Sequence, residues 1–432
     1  MAVTAVTTTM AGAINYTVVT DTSADWASVA NSTYFYDKTD KLVHYKNASG
    51  TILEVFSVSG LTYFTEAQNT TAPNATTPVD SLTSVSATTD ADFAIIPKGN
   101  GAIIADIPDG AVTGGNKRGA NAVDLQQVRL TNAAVASGAQ SVISGGYYNT
   151  ASGPQSSVGG GYQNTASGSQ SRVGGGNQNS ATSDFATVAG GANNTAGGRC
   201  IVAGGASNSA TAYASSLLGG FGNGSNGNYT TVGGGLGNTA SNDYSSVIGG
   251  ASNAATGAYS IAGGASCTAN STGSIALGTG ANVNSVLARN SFANYLGVVG
   301  DSQKSTFLFR MRTSTDTITN FTIDGTGAST ANQIILANNS SFRFKGTIIA
   351  KQSGSSNTAA WDIDGLITRG ASAGTTSLLI SNVTLVQNTP AWGTPTLAAD
   401  TGSGGLRIQI QGAAATNIQW VGNIETTEVI YA

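Results

Sequence analysis

Between residues 136 and 285 the apolar positions recur with a period of fifteen, and this alternation organises the chain. One copy reads SVISGGYYNTASGPQ from Ser141, the next SSVGGGYQNTASGSQ from Ser156, and the array closes on SIALGTGANVN. An Asn marker falls at Asn149, Asn164, Asn179, Asn194, Asn208, Asn223, Asn238 and Asn253, with Cys267 in the ninth slot and Asn282 in the tenth. Six residues before the slot lies an aliphatic side chain, from Ile143, Val158 and Val173 to Val247 and Ile261, with Ala276 the exception. Two residues after it comes Ala in eight copies, Ala151 to Ala269. Self-similarity at a short fixed period means one unit stacked many times. The aliphatic and Ala positions are eight residues apart (143 to 151), about half a coil, which predicts two short strands facing each other across a thin core.

Four residues before the slot every copy has Gly: Gly145, Gly160, Gly175, Gly190, Gly204, Gly219, Gly234, Gly249, Gly263 and Gly278. An obligatory Gly marks backbone that needs positive φ or close approach to a neighbouring chain segment. Asn tolerates the left-handed region and bonds locally to backbone, so Gly-Gly and Asn-Thr predict the corners. Stacking then places identical amides above one another as ladders. At the usual strand spacing, ten coils form a rod of about 48 Å. A Val-plus-Ala core of that width offsets little ordering entropy, so several chains are expected to pack together. A disordered Gly/Ser/Asn linker would have no reason to keep Val, Gly, Asn and Ala in phase. A calcium-binding roll would need Asp in each turn, and only Asp184 and Asp243 are acidic in the array.

The pattern SxxGGxxNTASG ending in SIALGTGA resembles the head repeats of trimeric autotransporter adhesins and the same β-roll in bacteriophage tail fibres. The resemblance covers about a third of the chain and implies a left-handed parallel β-roll packed as a homotrimer. A second block, Ile107-Pro108-Asp109-Gly110 with Gly114 to Leu125, resembles a segment preceding such repeats in phage tail-fibre proteins, which favours a virion fibre over an adhesin.

On either side of the array the pattern changes to strand alternation. Residues 1–90 are expected to form a small β domain, with strands at Thr33 to Asp37, Lys41 to Tyr45 and Thr51 to Phe56. Within it, Thr65 to Thr89 reads as an extended connection. Residues 91–135 read as a connector: strand, Gly-rich turn and strand over Asp92 to Ile104, then a helical turn at Asp124 to Leu130. In 286–432 alternating runs fall at Phe307 to Arg312, Thr317 to Ile323, Gln333 to Leu336, Phe342 to Ile349, Trp361 to Ile367, Ser377 to Val386, Leu406 to Gln411, Ile418 to Val421 and Thr427 to Tyr431, arguing a β-sandwich or jelly roll. The expected whole is an all-β, elongated homotrimer: small β domain, roll of about ten coils, terminal sandwich.

Charge and chemistry narrow the function. Charged residues are 9% of the chain, against about 25% in ordinary globular proteins, and the net charge is −4. No basic stripe suits nucleic acid. No apolar run is long enough for a membrane helix, and the N-terminus lacks the basic and apolar regions of a secretory signal. Two cysteines, Cys200 and Cys267, are four coils apart, about 19 Å at strand spacing, beyond disulfide reach, so both read as free thiols. GGNKRG, Gly114 to Gly119, lacks the Lys-Ser/Thr pair of a P-loop and reads as a turn. His44 is the one histidine and has no Ser or Cys partner motif nearby. Asp362 and Asp364 beside Trp361 have the form of a hydrolase carboxylate pair but equally that of a solvated strand face.

These readings give a phage tail fibre, assembled in the host cytoplasm into the virion, with no catalytic, cofactor or metal residues and no enzymatic activity. Its expected partners are two further copies of itself, phage tail or adaptor proteins through residues 1–90, and a host surface glycan or protein through residues 286–432. Candidate receptor-binding residues are Trp361, Trp392, Arg310, Arg312 and Arg343, aromatic and cationic types suited to flat or anionic glycans. Alternatives are a head or decoration fibre, a bacterial trimeric adhesin and a depolymerase tailspike.

Overall fold

The computed structural model describes residues 8–10, 14–19, 33–37, 42–49, 51–56, 64–69, 79–84, 94–294, 301–389 and 391–431. They form two compact units, Met1–Ile96 and Pro97–Ala432. The first holds a five-stranded sheet in the order Thr8–Met10, Ile14–Val19, Thr33–Asp37, Leu42–Lys46, Ile52–Phe56. The hairpins expected there are present, with Phe35 opposite His44 and Tyr45 opposite Leu53. Asn47 shapes the second turn, its Oδ1 accepting from the backbone N–H of Ser49 (3.1 Å) and Thr51 (2.8 Å). Residues 38–41, between the first two of the expected strands, lie outside the described residues. The connection expected from Thr65 to Thr89 instead carries a hairpin, Phe64–Asn69 against Val79–Ser84. Its Phe, Val, Leu and Thr suit a pleated strand despite the polar composition.

The second unit is all-β and built on a parallel β-solenoid of about eleven turns. Each repeat coil contributes a pair such as Val142–Ile143 and Thr150–Ala151, and each pairs in register with its equivalent one coil on: Ile143 with Val158, Ala151 with Ala166. Except at Ile261, the aliphatic and Ala positions point inward and are buried, forming one continuous column. A third ladder of single bridges runs Tyr147, Tyr162, Asn177, Ala192, Ala206, Phe221, Leu236, Ala251.

The solenoid starts earlier than the repeat. Ile103–Ile104 pairs with Val123–Asp124, which pairs with Val142–Ile143, so the stretch read as a connector supplies the first rungs. Residues 94–97 are irregular, with Ile95 and Ile96 exposed, rather than strand. No helix forms after Asp124. Its buried carboxylate takes Arg118 Nε (2.7 Å) and the backbone N–H of Gln126 (3.2 Å), so side chains satisfy groups a helix would have paired.

The buried Asn markers do form a ladder. Asn164 Nδ2 donates to the carbonyls of Gly160 and Gly176, both at 2.9 Å, and its Oδ1 accepts from the backbone N–H of Asn179 at 3.0 Å. Each amide thereby serves its own coil and the next one, which is how a polar side chain lies buried at no unmatched cost. The marked glycine before this corner has positive φ at eight of its ten positions, from 105° at Gly278 to 152° at Gly204, as expected. Gly190 and Gly263, two of the ten marked positions, lack positive φ. The constrained residue is the next one. At Gly191 (φ 92°) an added Cβ would lie 2.1 Å from the Gly205 carbonyl and 2.6 Å from Asn194 Nδ2. The last two copies also slip by one residue. Ala262 rather than Ile261 fills the core, and Thr268 pairs with Asn282, so Ala281 occupies the tenth slot and Gly278 lines up with Gly264.

The solenoid sheet runs on into the C-terminal domain. Strand β1, Asn290–Ala293, pairs in parallel with Ile275–Thr279 and antiparallel with β2, Ser302–Thr313. The remaining strands are β3 Ile318–Asn320, β4 Ile334–Ile335, β5 Ser340–Gln352, β6 Thr358–Arg369, β7 Ser377–Thr389, β8 Gly393–Asp400, β9 Gly405–Gln411 and β10 Ile418–Ile430. One sheet runs β2-β10-β5-β6-β7 and the second consists of β3, β4 and β8 around β9. One buried cluster, with Phe309, Phe344, Trp361, Trp420, Ile408 and Ile410, lies between them, giving the expected sandwich. The runs at Ile418 and Thr427 are one strand, β10, and β8 had not been read from the alternation. At the joint, buried Arg289 pairs with buried Glu428, which also accepts from Gln303 Nε2 at 3.0 Å. The cysteines are both free and buried.

Candidate functional site

The outer face of the five-stranded sheet follows from strand alternation. Side chains two apart on β2, β10 and β5 share that face, so Arg312, Gln419 and Lys351 align in one row across three strands, and Arg310, Val421 and Ile349 in the next. With the turns at Thr313-Ser314, Gln352-Ser353 and Asn417, the first row and the Ile349 and Val421 of the second line a cleft of about 850 Å³, with Arg310 just outside it. Ile349 and Val421 give it an apolar floor, Arg312 and Lys351 flank it, and amides and hydroxyls fill the rim. No carboxylate lines it, and among the described residues no ion pair occupies Arg310, Arg312 or Lys351. Unpaired cations over an apolar floor suit an anionic ligand with a hydrophobic face.

Of the five residues singled out from sequence, Arg310 and Arg312 meet at this end of the sheet. Arg343 lies eight residues along β5 from Lys351, about 26 Å away, and is engaged by Asp364 and by the carbonyls of Phe344 (2.8 Å) and Gly365 (2.9 Å). The hydrogen bond from Arg343, with that from Asn382, holds the Asp364 carboxyl below its ordinary range. Asp362 accepts from Thr347 Oγ1 at 2.7 Å. Both acids thus serve the sheet face. Trp361 and Trp392 are not on the surface. Trp361 stacks on Trp420 with ring centroids 5.7 Å apart, Trp392 sits 6.2 Å from Trp420, and all three belong to the sandwich core. Lys351, Gln419 and Asn417 had not been singled out. Their outward parity is visible in the sequence, but which strands lie side by side is not.

The solenoid carries a second exposed feature. The outward corner two residues before each Asn shows no continuous aromatic stripe, and the array reads as a spacer on that count. The stripe lies instead at the opposite turn, about six residues after the Asn. Arg199 lies between Phe185 (5.2 Å) and Tyr213 (5.4 Å), followed by Tyr229, Tyr244 and Tyr259 with successive centroids 5.6, 5.1 and 4.9 Å apart. The last three rings are nearly parallel, at 6° and 1°. Phe185, Arg199, Tyr229, Tyr244 and Tyr259 all have φ between 56° and 61°, a region where bulky side chains are rare. Earlier coils hold Gln140, Gln155 and Gln170 there, joined through their amides at 2.9 and 2.8 Å.

No protein-family model and no curated protein matches the chain. Among solved structures it is similar to the tailspike of Acinetobacter baumannii bacteriophage Fri1, a capsular polysaccharide depolymerase, at 10% identity and TM-score 0.22, over 76% of this chain and 56% of that one. It is also similar to the tailspike of Acinetobacter baumannii phage AM24 at 8% identity and TM-score 0.21, over 72% and 67% of the two chains. A third is the tailspike of Acinetobacter phage vB_ApiP_P1, at 10% identity and TM-score 0.18, over 77% and 80%. The chain spans just over half the length of the first. The expectation of a chain without enzymatic activity is corrected here, because that first structure is a depolymerase. At these TM-scores the likeness gives no residue of this chain a catalytic role.

Proposed function

We propose that the chain is a receptor-binding fibre of a tailed phage that attaches to an anionic surface polysaccharide through the C-terminal cleft. In this reading residues 1–90 bind phage tail or adaptor proteins, the solenoid is the spacer, and three copies form the fibre. The observation that carries it is the row Arg312-Gln419-Lys351 over Ile349 and Val421, a cationic cleft in a chain of net charge −4. Trimer formation is supported by the apolar side chains that the solenoid leaves outside, with Leu218 and Ile248 each 64% exposed beside Phe221 and Leu236. Burying such a stripe against equivalent copies removes it from water. The experiment is competition for adsorption. Excess purified protein should block attachment of particles that carry the chain, and the Arg312→Glu, Lys351→Glu protein should not. Equal blocking by both would remove the cleft from attachment.

A further inference from the structure

The aromatic ladder ends on an empty rung. At the far end of the ladder each rung donates its backbone N–H to the carbonyl that precedes the rung before it: Tyr244 to Asn228 (2.9 Å), Tyr259 to Asp243 (3.0 Å), Gly273 to Ala258 (2.9 Å). Gly273 is therefore the next rung, and its φ of 67° is close to the 57° of Tyr259. No heavy atom lies within 4 Å of where its Cβ would stand. One face of Tyr259 is covered by Tyr244, and the other looks onto the rung that has no side chain. Tyr259 is accordingly 61% exposed, against 48% for Tyr244 and 49% for Tyr229. The geometry leaves a slot one ring thick, with a flat aromatic floor.

We propose that this slot takes a pyranose ring of a surface polysaccharide, stacked on Tyr259 in the place the next ladder side chain would occupy. The C–H face of a sugar suits an aromatic face, and the ring's hydroxyls need polar partners at the rim. Those partners are present: Thr272 is exposed beside Gly273, and Asn270 and Ser285 form an exposed pair joined at 3.1 and 2.9 Å. Phenol hydroxyls and Arg199 continue the polar edge along the axis, where an extended glycan chain would lie. A sugar polymer fits that edge better than the apolar side chain of another copy. The ladder also occupies the turn opposite the Leu218 and Phe221 stripe, so trimer packing there leaves it accessible. The proposal rests on the reading of the chain as a glycan-attachment fibre and adds a lateral site to it.

The test uses the full-length protein on an array of bacterial capsular and O-chain polysaccharides, with polygalacturonate as the soluble probe. Tyr259→Ala removes the floor, and Gly273→Tyr fills the slot at a backbone angle that three other rungs already hold. Both should weaken binding about tenfold, while Gly273→Tyr melts no lower than the parent, which separates occlusion from misfolding. Gln155→Ala, on the same edge, should change nothing. Undiminished binding by either Tyr259→Ala or Gly273→Tyr overturns the lateral site. A change in sedimentation with either variant also overturns it, since another copy would then fill the slot. Loss confined to Arg312→Glu, Lys351→Glu would leave the attachment reading intact and the lateral site wrong. A parent protein that binds no polysaccharide defeats both.

Discussion

Gln126 closes the lower end of the Asn ladder on Asn149 through two bonds, its Oε1 accepting the Asn149 backbone N–H at 2.7 Å and its Nε2 donating to the Asn149 carbonyl at 2.9 Å. Gln303 repeats the pair at the far end, on the N–H (2.8 Å) and carbonyl (2.9 Å) of Asn282. The run of Asn-type corners leaves backbone groups unmatched at its two ends, and here a side-chain amide from outside the repeat meets each. Gln126→Ala should leave a buried N–H and carbonyl unmatched, at about 1–3 kcal/mol each. Hydrogen exchange should show the loss as faster exchange at Asn149, with coils beyond Asn194 unaffected.

The Gly-Gly corner gives a paired prediction. Gly191→Ala drives a Cβ to 2.1 Å from the Gly205 carbonyl at positive φ, whereas the nearest atom to a Cβ at Gly190 is the Gly175 carbonyl oxygen at 3.9 Å. Thermal unfolding should therefore show a clear fall in Tm for Gly191→Ala and little change for Gly190→Ala. Equal effects would contradict the assignment of the close approach.

Acid should loosen the sandwich first. Burial raises the pKa of Asp400, but the N–H groups of Ser403 and Gly402 and the Arg407 guanidinium outweigh it, so the carboxyl titrates below its ordinary range. Asp324 is likewise lowered: burial opposes, and the hydrogen bonds from Thr326 and Asn332 prevail. A depressed carboxyl lends stability that is complete above its unfolded pKa of about 4 and is lost as pH falls through the lower folded value. Melting between pH 6 and pH 2 should show that loss, and Asp400→Asn should flatten part of it.

Assembly separates two kinds of apolar residue. Val188 is buried within its own chain, so Val188→Asp should unfold the solenoid and says nothing of assembly. Leu218 and Ile248 are exposed in one chain, so the double change to Asp should yield a folded monomer. Sedimentation should give a trimer for the parent; a folded parent monomer would contradict the proposed assembly.

The repeat was legible because its physics is local and iterated: Ile143 and Ala151 recur with their spacing, and burial follows from the period. Positive φ at the marked glycine was legible, but the close approach falls on the residue after it, because sequence marks which Gly recurs and not which one faces a carbonyl of the next coil. The slip at Ala262 and Ala281 was hidden for a related reason, since a shortened coil can absorb its deletion before or after the core residue. Hairpin neighbours such as Thr33–Asp37 and Leu42–Lys46 were readable. The pairing of β2 with β10, which brings Arg312 to Gln419 across more than a hundred residues, was not. Trp361 and Trp392 were read as receptor-facing for the same reason, as only the second sheet decides which side chains are covered.

The most direct measurement is capture of anionic polysaccharide by the full-length protein, with and without reversal of charge at Arg312 and Lys351. The account predicts that Arg312→Glu, Lys351→Glu folds with the parent's Tm, since both side chains are free of ion pairs among the described residues, and loses binding tenfold or more, with the parent's affinity falling as salt rises. Binding by the reversed protein at the parent's strength, at the same ionic strength, would contradict it.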